Sequence, residues 1–399
     1  MKKILLLGGL RYLLPVIEAA HQQGYYVITA DYLPNNFAHQ CADEYINVSI
    51  IDKEAVLKEA QKRNIDGIIS FAVDPGVVTA AYVQEQMNLP AFGPYESVKI
   101  LQNKDLFRQF LNDNGFNVPQ AKGYGSLEEV MNDAENWNYP VIVKPTDSAG
   151  SKGVKRVDNV SELRSAAENA FENALKGKII IEDFIEPEGC TSDSDSFSVD
   201  GEMKFITFSA QRFDKNASNP YTPSAYSWPS TFTEEQQEYL KSELQRLVSL
   251  LKMKTTVYNI ETRIGKDGKA YIMEVSPRGG GNRLSEMVKH STGVDFITAA
   301  VRAAVGDPVN IQPAPLNGHW AEVILHADKT GVFKELKFFD SLSNSNIRKV
   351  DLWVHTGDKV EAFNGANNAI GTLVLKFETQ NELDEVLSNQ DKYFQVVVE

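Results

Sequence analysis

Over its first hundred residues the chain alternates short apolar runs with amphipathic ones, and this alternation restricts the fold more than any other feature. Residues 3–7 read as a buried strand, 13–23 as a helix and 26–30 as a second strand. A helix pattern at 53–62 leads to a strand at 67–71, another helix covers 77–87, and 90–93 closes the unit. Strands separated by helices of this length pair in parallel through right-handed crossovers. Gly8-Gly9 ends the first strand and Asp31 the second, as in dinucleotide-binding sheets. Leu10, Arg11 and Tyr12, however, stand where further glycines would have to admit a pyrophosphate, so the reading is a Rossmann-like sheet without a dinucleotide. The loops at 9–12 and 74–76, at the carboxyl ends of strands, are candidates for contact with another small ligand.

A second constraint comes from residues 256–283. An alternating run at 256–264, the turn Gly265-Lys266-Asp267-Gly268 and a second run at 269–275 predict a β-hairpin. Antiparallel pairing about that turn places Glu261 and Glu274 close to opposite each other. Two such acids repel unless a cation lies between them or one keeps its proton. Taken alone, the pair reads as two solvated glutamates. The stretch Pro277-Arg278-Gly279-Gly280-Gly281-Asn282-Arg283 directly after it changes the balance, because it offers a backbone suited to close approach and two guanidiniums for anions.

The 399 residues allow two or three domains with proper cores. A formal charge of −14 argues against nucleic acid or an anionic membrane as partner. Cys41 and Cys190 support neither a disulfide framework nor a cysteine metal site. The opening MKKILLLGGL lacks a small-residue cleavage site and its apolar run stops at Arg11, so it is read as a strand and the protein as cytoplasmic.

Between these landmarks, 97–114 reads as helical and contains Lys104. The strand 140–144 ends in Lys144 and runs into a loop of small residues, 145–154, in which Lys152 precedes Gly153. Two cations and free backbone N–H groups suit a triphosphate, although the loop is not a Walker A motif. After a helix at 161–175, the apolar strand 178–181 ends in Glu182-Asp183-Phe184-Ile185, a plausible edge for a purine base. A hairpin is expected over 197–209. Residues 212–230 show no periodicity and read as a long functional loop. A helix at 234–251 precedes the acidic hairpin, one helical run follows it at 285–305, and strands at 321–326, 332–338 and 371–378 with a helix at 380–388 complete a small α+β region. His319, His326 and His355 have no metal-ligand spacing and read as unrelated structural histidines.

In this order, the features resemble the ATP-grasp superfamily over essentially the whole chain, most closely its carboxylate–amine ligase branch. The resemblance implies a mixed α/β and α+β ATP-grasp fold: a Rossmann-like parallel-sheet domain at 1–100, an ATP-grasp domain at 101–310 with a mobile lid at about 120–185, and a small C-terminal α+β domain at 311–399. It implies ATP and Mg2+ (or Mn2+) as cofactors, with Lys104 and Lys144 on the phosphates and Ser148, Gly150, Ser151 and Gly153 in a flap over them. Glu182, Asp183, Phe184 and Ile185 would hold adenine and Glu188 the ribose. Glu261 and Glu274 would hold the metal, with Ser276 at a position that is asparagine in the family pattern. Arg278 would contact the substrate carboxylate or the acyl-phosphate oxygens, with Lys152 and Arg283 as further catalytic candidates, Arg283 also contributing to specificity. The implied reaction is carboxylate activation by ATP followed by attack of an amine. Bicarbonate activation, a purine-pathway step and a nucleotide-binding regulatory role are the alternatives. The implied partners are a small carboxylate and an amine, with a homodimer expected by analogy.

Overall fold

The computed structural model describes residues 1–147, 152–215, 217 and 219–399. The first sheet contains β1 (Lys3–Leu7), β2 (Tyr26–Asp31), β3 (Glu44–Asn47) and β4 (Gly67–Ser70), all parallel, in the order β3-β2-β1-β4. All four apolar residues after Lys3 in β1 are fully buried, as a strand covered on both faces requires. β3 is an additional strand that the apolar pattern does not announce, since two of its four residues are polar.

A second sheet is built from β5 (Ala121–Tyr124), β6 (Val141–Pro145), β7 (Lys155–Val157) and β8 (Ile179–Asp183), ordered β5-β8-β6-β7 and antiparallel. One helix, Val160–Glu172, packs its Leu163, Ala166, Ala167 and Ala170 against it.

Six further strands follow: β9 (Ser192–Val199), β10 (Glu202–Phe205), β11 (Ala210–Phe213), β12 (Pro223–Trp228), β13 (Thr256–Ile264) and β14 (Ala270–Ser276). β10-β9-β13-β14 form one antiparallel sheet. The expected hairpin is β13–β14, closed by Gly265 N–H donating to the Lys269 carbonyl at 2.8 Å. The aperiodic stretch 212–230 is not a free loop. Its two ends are β11 and β12, which pair antiparallel, and its Tyr226 and Trp228 are buried.

The remaining strands are β15 (His319–Leu325), β16 (Gly331–Phe338), β17 (Ile347–Leu352), β18 (Lys359–Val360), β19 (Gly371–Phe377) and β20 (Phe394–Val398). β11-β12-β15-β19-β17 form a single sheet that joins strands on both sides of residue 310. β18-β16-β20 form a smaller one.

Two helical runs are each broken in two. Residues 97–114 divide into Tyr95–Leu101 and Lys104–Asp113, where the Asn103 side chain caps the second helix. Residues 285–305 divide into Leu284–Thr292 and Phe296–Ala304 at Gly293, whose φ of 82° ends the first helix, while Asp295 caps the next by accepting from Thr298 N–H. Among the described residues no helix is long and apolar enough to cross a membrane.

Candidate active site

Glu261 and Glu274 are direct cross-strand partners in β13 and β14. The same register continues into β9, where Asp193 stands opposite Glu261. Two residues along, Ser276, Asn259 and Asp195 make a parallel row across the same three strands. Side chains two apart share a face, so three carboxylates and a second row of polar groups lie side by side. Glu261 and Glu274 are half-buried, whereas Asp195 is completely buried. Burial, with Glu261 opposite, lifts the Asp193 carboxyl to about 7, and burial lifts Asp195 to about 6. Asn259 Nδ2 donates to Asp193 at 2.6 Å and to Asp195 at 3.4 Å.

Ser276 is also engaged. Its hydroxyl donates to Asp74 at 2.9 Å and accepts from Gln102 Nε2 at 2.8 Å. Asp74 opens the helix Asp74–Gln86 after β4, so the 74–76 loop reaches the site through protein contacts. Arg278 forms a fork on Asp74, with Nε at 2.8 Å and a terminal nitrogen at 2.6 Å, and its other terminal nitrogen donates to Asn259 Oδ1 at 3.0 Å. Burial opposes ionisation of Asp74, but Arg278 holds its carboxyl below the usual range.

The glycine run approaches protein rather than open space over part of its length. A Cβ at Gly279 would lie 2.1 Å from the Phe71 ring, and Gly280 N–H donates to Asp195 at 2.9 Å. Arg283 adopts a left-handed conformation at φ 55°. Its Nε donates to Thr372 at 2.7 Å, one terminal nitrogen to Glu286 at 2.8 Å and the other to Asp351.

The lysines lie on the other flank. Lys104 Nζ is 3.6 Å from Glu274, and Lys104 N–H donates to the Thr146 carbonyl at 3.1 Å. Lys144 pairs with Glu182, which also accepts from Arg108 Nε at 2.9 Å. Burial alone would raise the Glu182 carboxyl, but Arg108 and Lys144 overcome it and hold the group at about 2. Arg108 also donates to the Met273 carbonyl at 2.8 Å, next to Glu274. Lys104, Lys144, Glu182 and the acid hairpin are therefore joined through the helix Lys104–Asp113.

Beyond Glu182, Asp183 N–H donates to the Gln120 carbonyl and Phe184 N–H to the Pro140 carbonyl. The Phe184 ring lies 4.4 Å below the Arg156 guanidinium, and the Ile185 carbonyl accepts from Arg263 at 2.9 Å. Glu188 is exposed. Lys152 is exposed and, with Gly153 at φ 71°, lines a cleft of about 1030 Å³ shared with Asn219, Tyr221 and Glu361. Ser148, Gly150 and Ser151 lie outside the described residues. Away from this site, His326 does meet acids: potential ligand atoms of Asp214, His326 and Asp328 fall within 4.8 Å of one another.

Sequence reasoning does not find Asp193, Asp195, Asn259 or Arg108. The alternation Ser192-Asp193-Ser194-Asp195-Ser196 is the signal that could reveal the first two, as acids on one face of a strand.

A parallel sheet whose strand-end loop grips an arginine, joined to an acid-bearing antiparallel sheet and faced by a lysine-bearing one, is the ATP-grasp architecture. Residues 137–286 match the model of the family described as ATP-grasp domain. Its fold is similar to that of an L-amino acid ligase from Bacillus licheniformis (TM-score 0.83, 21% identity, covering 100% of this chain and 99% of that one). It is also similar to phosphoribosylglycinamide synthetase from Anaerococcus prevotii (TM-score 0.77, 21% identity, 100% of both chains). In sequence it is 25% identical over 294 residues to the carbamoyl phosphate synthase large chain of Pseudothermotoga lettingae, covering 73% of this chain and 26% of that protein's length.

Proposed function

We propose that the protein is an ATP- and magnesium-dependent ligase that activates a small carboxylate as an acyl phosphate and joins it to an amine, releasing ADP and phosphate. The observation that carries this reading is the row Glu274, Glu261 and Asp193 across three neighbouring strands. Such a row is costly unless a cation neutralises it, and magnesium is a hard ion that takes carboxylates together with phosphates. The donor set fits: two half-buried glutamates keep oxygens accessible beside a hydroxyl, Ser276, and a lysine, Lys104. When bound, the ion would neutralise charge on the transferring phosphoryl group.

In this reading Lys104 and Lys144 bind phosphate oxygens, and Lys152 and Gly153 belong to a flap that closes over them. Glu182, Asp183, Phe184 and Ile185 border adenine, and Glu188 the ribose. A substrate carboxylate oxygen attacks the γ-phosphorus, the bond to ADP breaks, and the amine then displaces phosphate from the acyl carbon while losing a proton. Arg278, fixed by Asp74, places its charge beside the acyl oxygens, and Arg283 shapes the neighbouring loop. No nucleophilic side chain is required, because positioning and charge stabilisation supply the catalysis. The names of the two structurally similar proteins, a ligase and a synthetase, support a joining reaction.

The test is Glu274→Gln. ADP formation is expected to fall at least about 100-fold, while thermal unfolding without ligand stays cooperative and magnesium-ATP no longer raises Tm as it does in the natural protein. Unchanged turnover, or stabilisation by NAD in place of magnesium-ATP, would overturn the reading.

A further inference from the structure

Glu322 interrupts the pattern of its own strand. Along β15, Trp320, Glu322 and Ile324 share one face. Trp320 and Ile324 belong there to an apolar cluster with Tyr226, Trp228 and Val374, covered by Leu284 and Met287 from the helix Leu284–Thr292. Glu322 is completely buried in this setting, and neither carboxylate oxygen has a hydrogen-bond partner. Buried charges are ordinarily paired, so such a carboxyl either keeps its proton or awaits a cation.

The nearby cation is already committed. Arg283 acts on Glu322 through its field, yet all its donor nitrogens are taken by Thr372, Glu286 and Asp351. Glu286 and Asp193 add negative field at Glu322, and burial pushes its carboxyl well above the ordinary range. The position also joins the site described above. Glu322 is the cross-strand partner of Tyr226, whose hydroxyl donates to Asp193 at 3.3 Å, and Asp193 stands opposite Glu261. Tyr12 feels the Glu322 charge and donates to Asn282 at 3.1 Å.

We propose that Glu322 receives the protonated amino group of a substrate, which makes it a specificity-determining residue for amino-acid-like compounds in a subsite bordered by Tyr226, Asn282 and Tyr12. The inference rests on the ligase reading for its reaction but not for its binding test. An ammonium group would supply the missing donors and the missing charge together. A desamino compound would leave the carboxyl unpartnered, and sites built around a polar group reject analogues lacking it.

The full-length protein is titrated, in the presence of magnesium and a non-hydrolysable ATP analogue, with each proteinogenic L-amino acid and with its desamino counterpart. At least one amino acid is expected to bind about tenfold or more tightly than its counterpart, the difference a charge-assisted contact supplies. In Glu322→Gln that preference is expected to shrink to within about twofold, with the Tm shift from the nucleotide alone retained. A purely structural glutamic acid would leave the preference untouched in the variant, and that result overturns the proposal. So does a natural protein that never distinguishes the paired compounds, a comparison that needs no variant to fold. Amino-acid preference without ADP formation from any carboxylate and amine would sink the ligase reading alone. ADP formation from amine-free carboxylates with equal binding of both members of each pair would sink the Glu322 assignment alone.

Discussion

Glu182 carries the most consequential electrostatics outside the acid row. It is buried between Arg108 and Lys144, and its carboxyl is held at about 2 against an ordinary value of 4.5. A carboxyl depressed in the folded state contributes stability that is fully present above its unfolded value and lost as pH falls through the folded one. The window is therefore pH 4.5 down to about 2. Denaturant titrations across it should show the natural protein losing on the order of 3 kcal/mol more than Glu182→Gln does over the same interval. Equal pH slopes for the two proteins would mean the triad does not hold Glu182 ionised. Its role as a strand-end acid is visible in the sequence because three consecutive isoleucines, Ile179, Ile180 and Ile181, precede it. Arg108 is not, since it lies 74 positions away and nothing in its local sequence marks it as a partner of Glu182. The same distance problem hides Asp74, 204 positions from the Arg278 it grips.

Within the elements, local chemistry determines what can be read in advance. The β13–β14 hairpin is legible because four turn residues set its register and hence the Glu261/Glu274 pairing. The β9 strand is not, because Glu261 lies 261 − 193 = 68 positions from Asp193 and only that long-range pairing brings the two opposite each other. The β11 and β12 strands are masked by prolines and irregular spacing, and tertiary pairing with β15 overrides that signal. The glycine run differs residue by residue. At Gly279 an added Cβ would meet the Phe71 ring, whereas at Gly281 it would meet nothing within 4 Å. Gly279→Ala should destabilise the protein by about 1–3 kcal/mol through overpacking, and Gly281→Ala by far less. Urea midpoints for the two variants would show whether the run serves packing at its start and clearance further on; equal midpoints would refute this.

At the scale of the molecule, the cores are shared unevenly. Leu5, Leu7 and Ile28 of the parallel sheet lie in the same cluster as Tyr258, Ile260 and Val275 of the acid hairpin, and a second cluster joins Ile4 and Leu6 to Phe197 and Val257. The β5–β8 sheet instead keeps a core drawn only from residues 124–181. Its ties elsewhere are mainly polar, including Lys104 N–H to Thr146 and Arg108 to Glu182. Native-state hydrogen exchange should therefore find β6 and β8 opening at a free energy at least about 2 kcal/mol below that of β1, with magnesium-ATP narrowing the gap. Identical opening energies without nucleotide would show one indivisible unit.

The alternation of serine and aspartate along β9 has a consequence for how the charge of the site is secured. Asp193 and Asp195 face the acid hairpin only in one alignment of β9 against β13. Moving the strand by a single residue would turn both carboxylates to the opposite face and present serines instead. The density of negative charge thus works like a vernier read off the backbone, and whatever fixes that alignment, including the Ser198–Tyr258 hydroxyl contact at 3.0 Å, also sets how much negative charge gathers beside the hairpin.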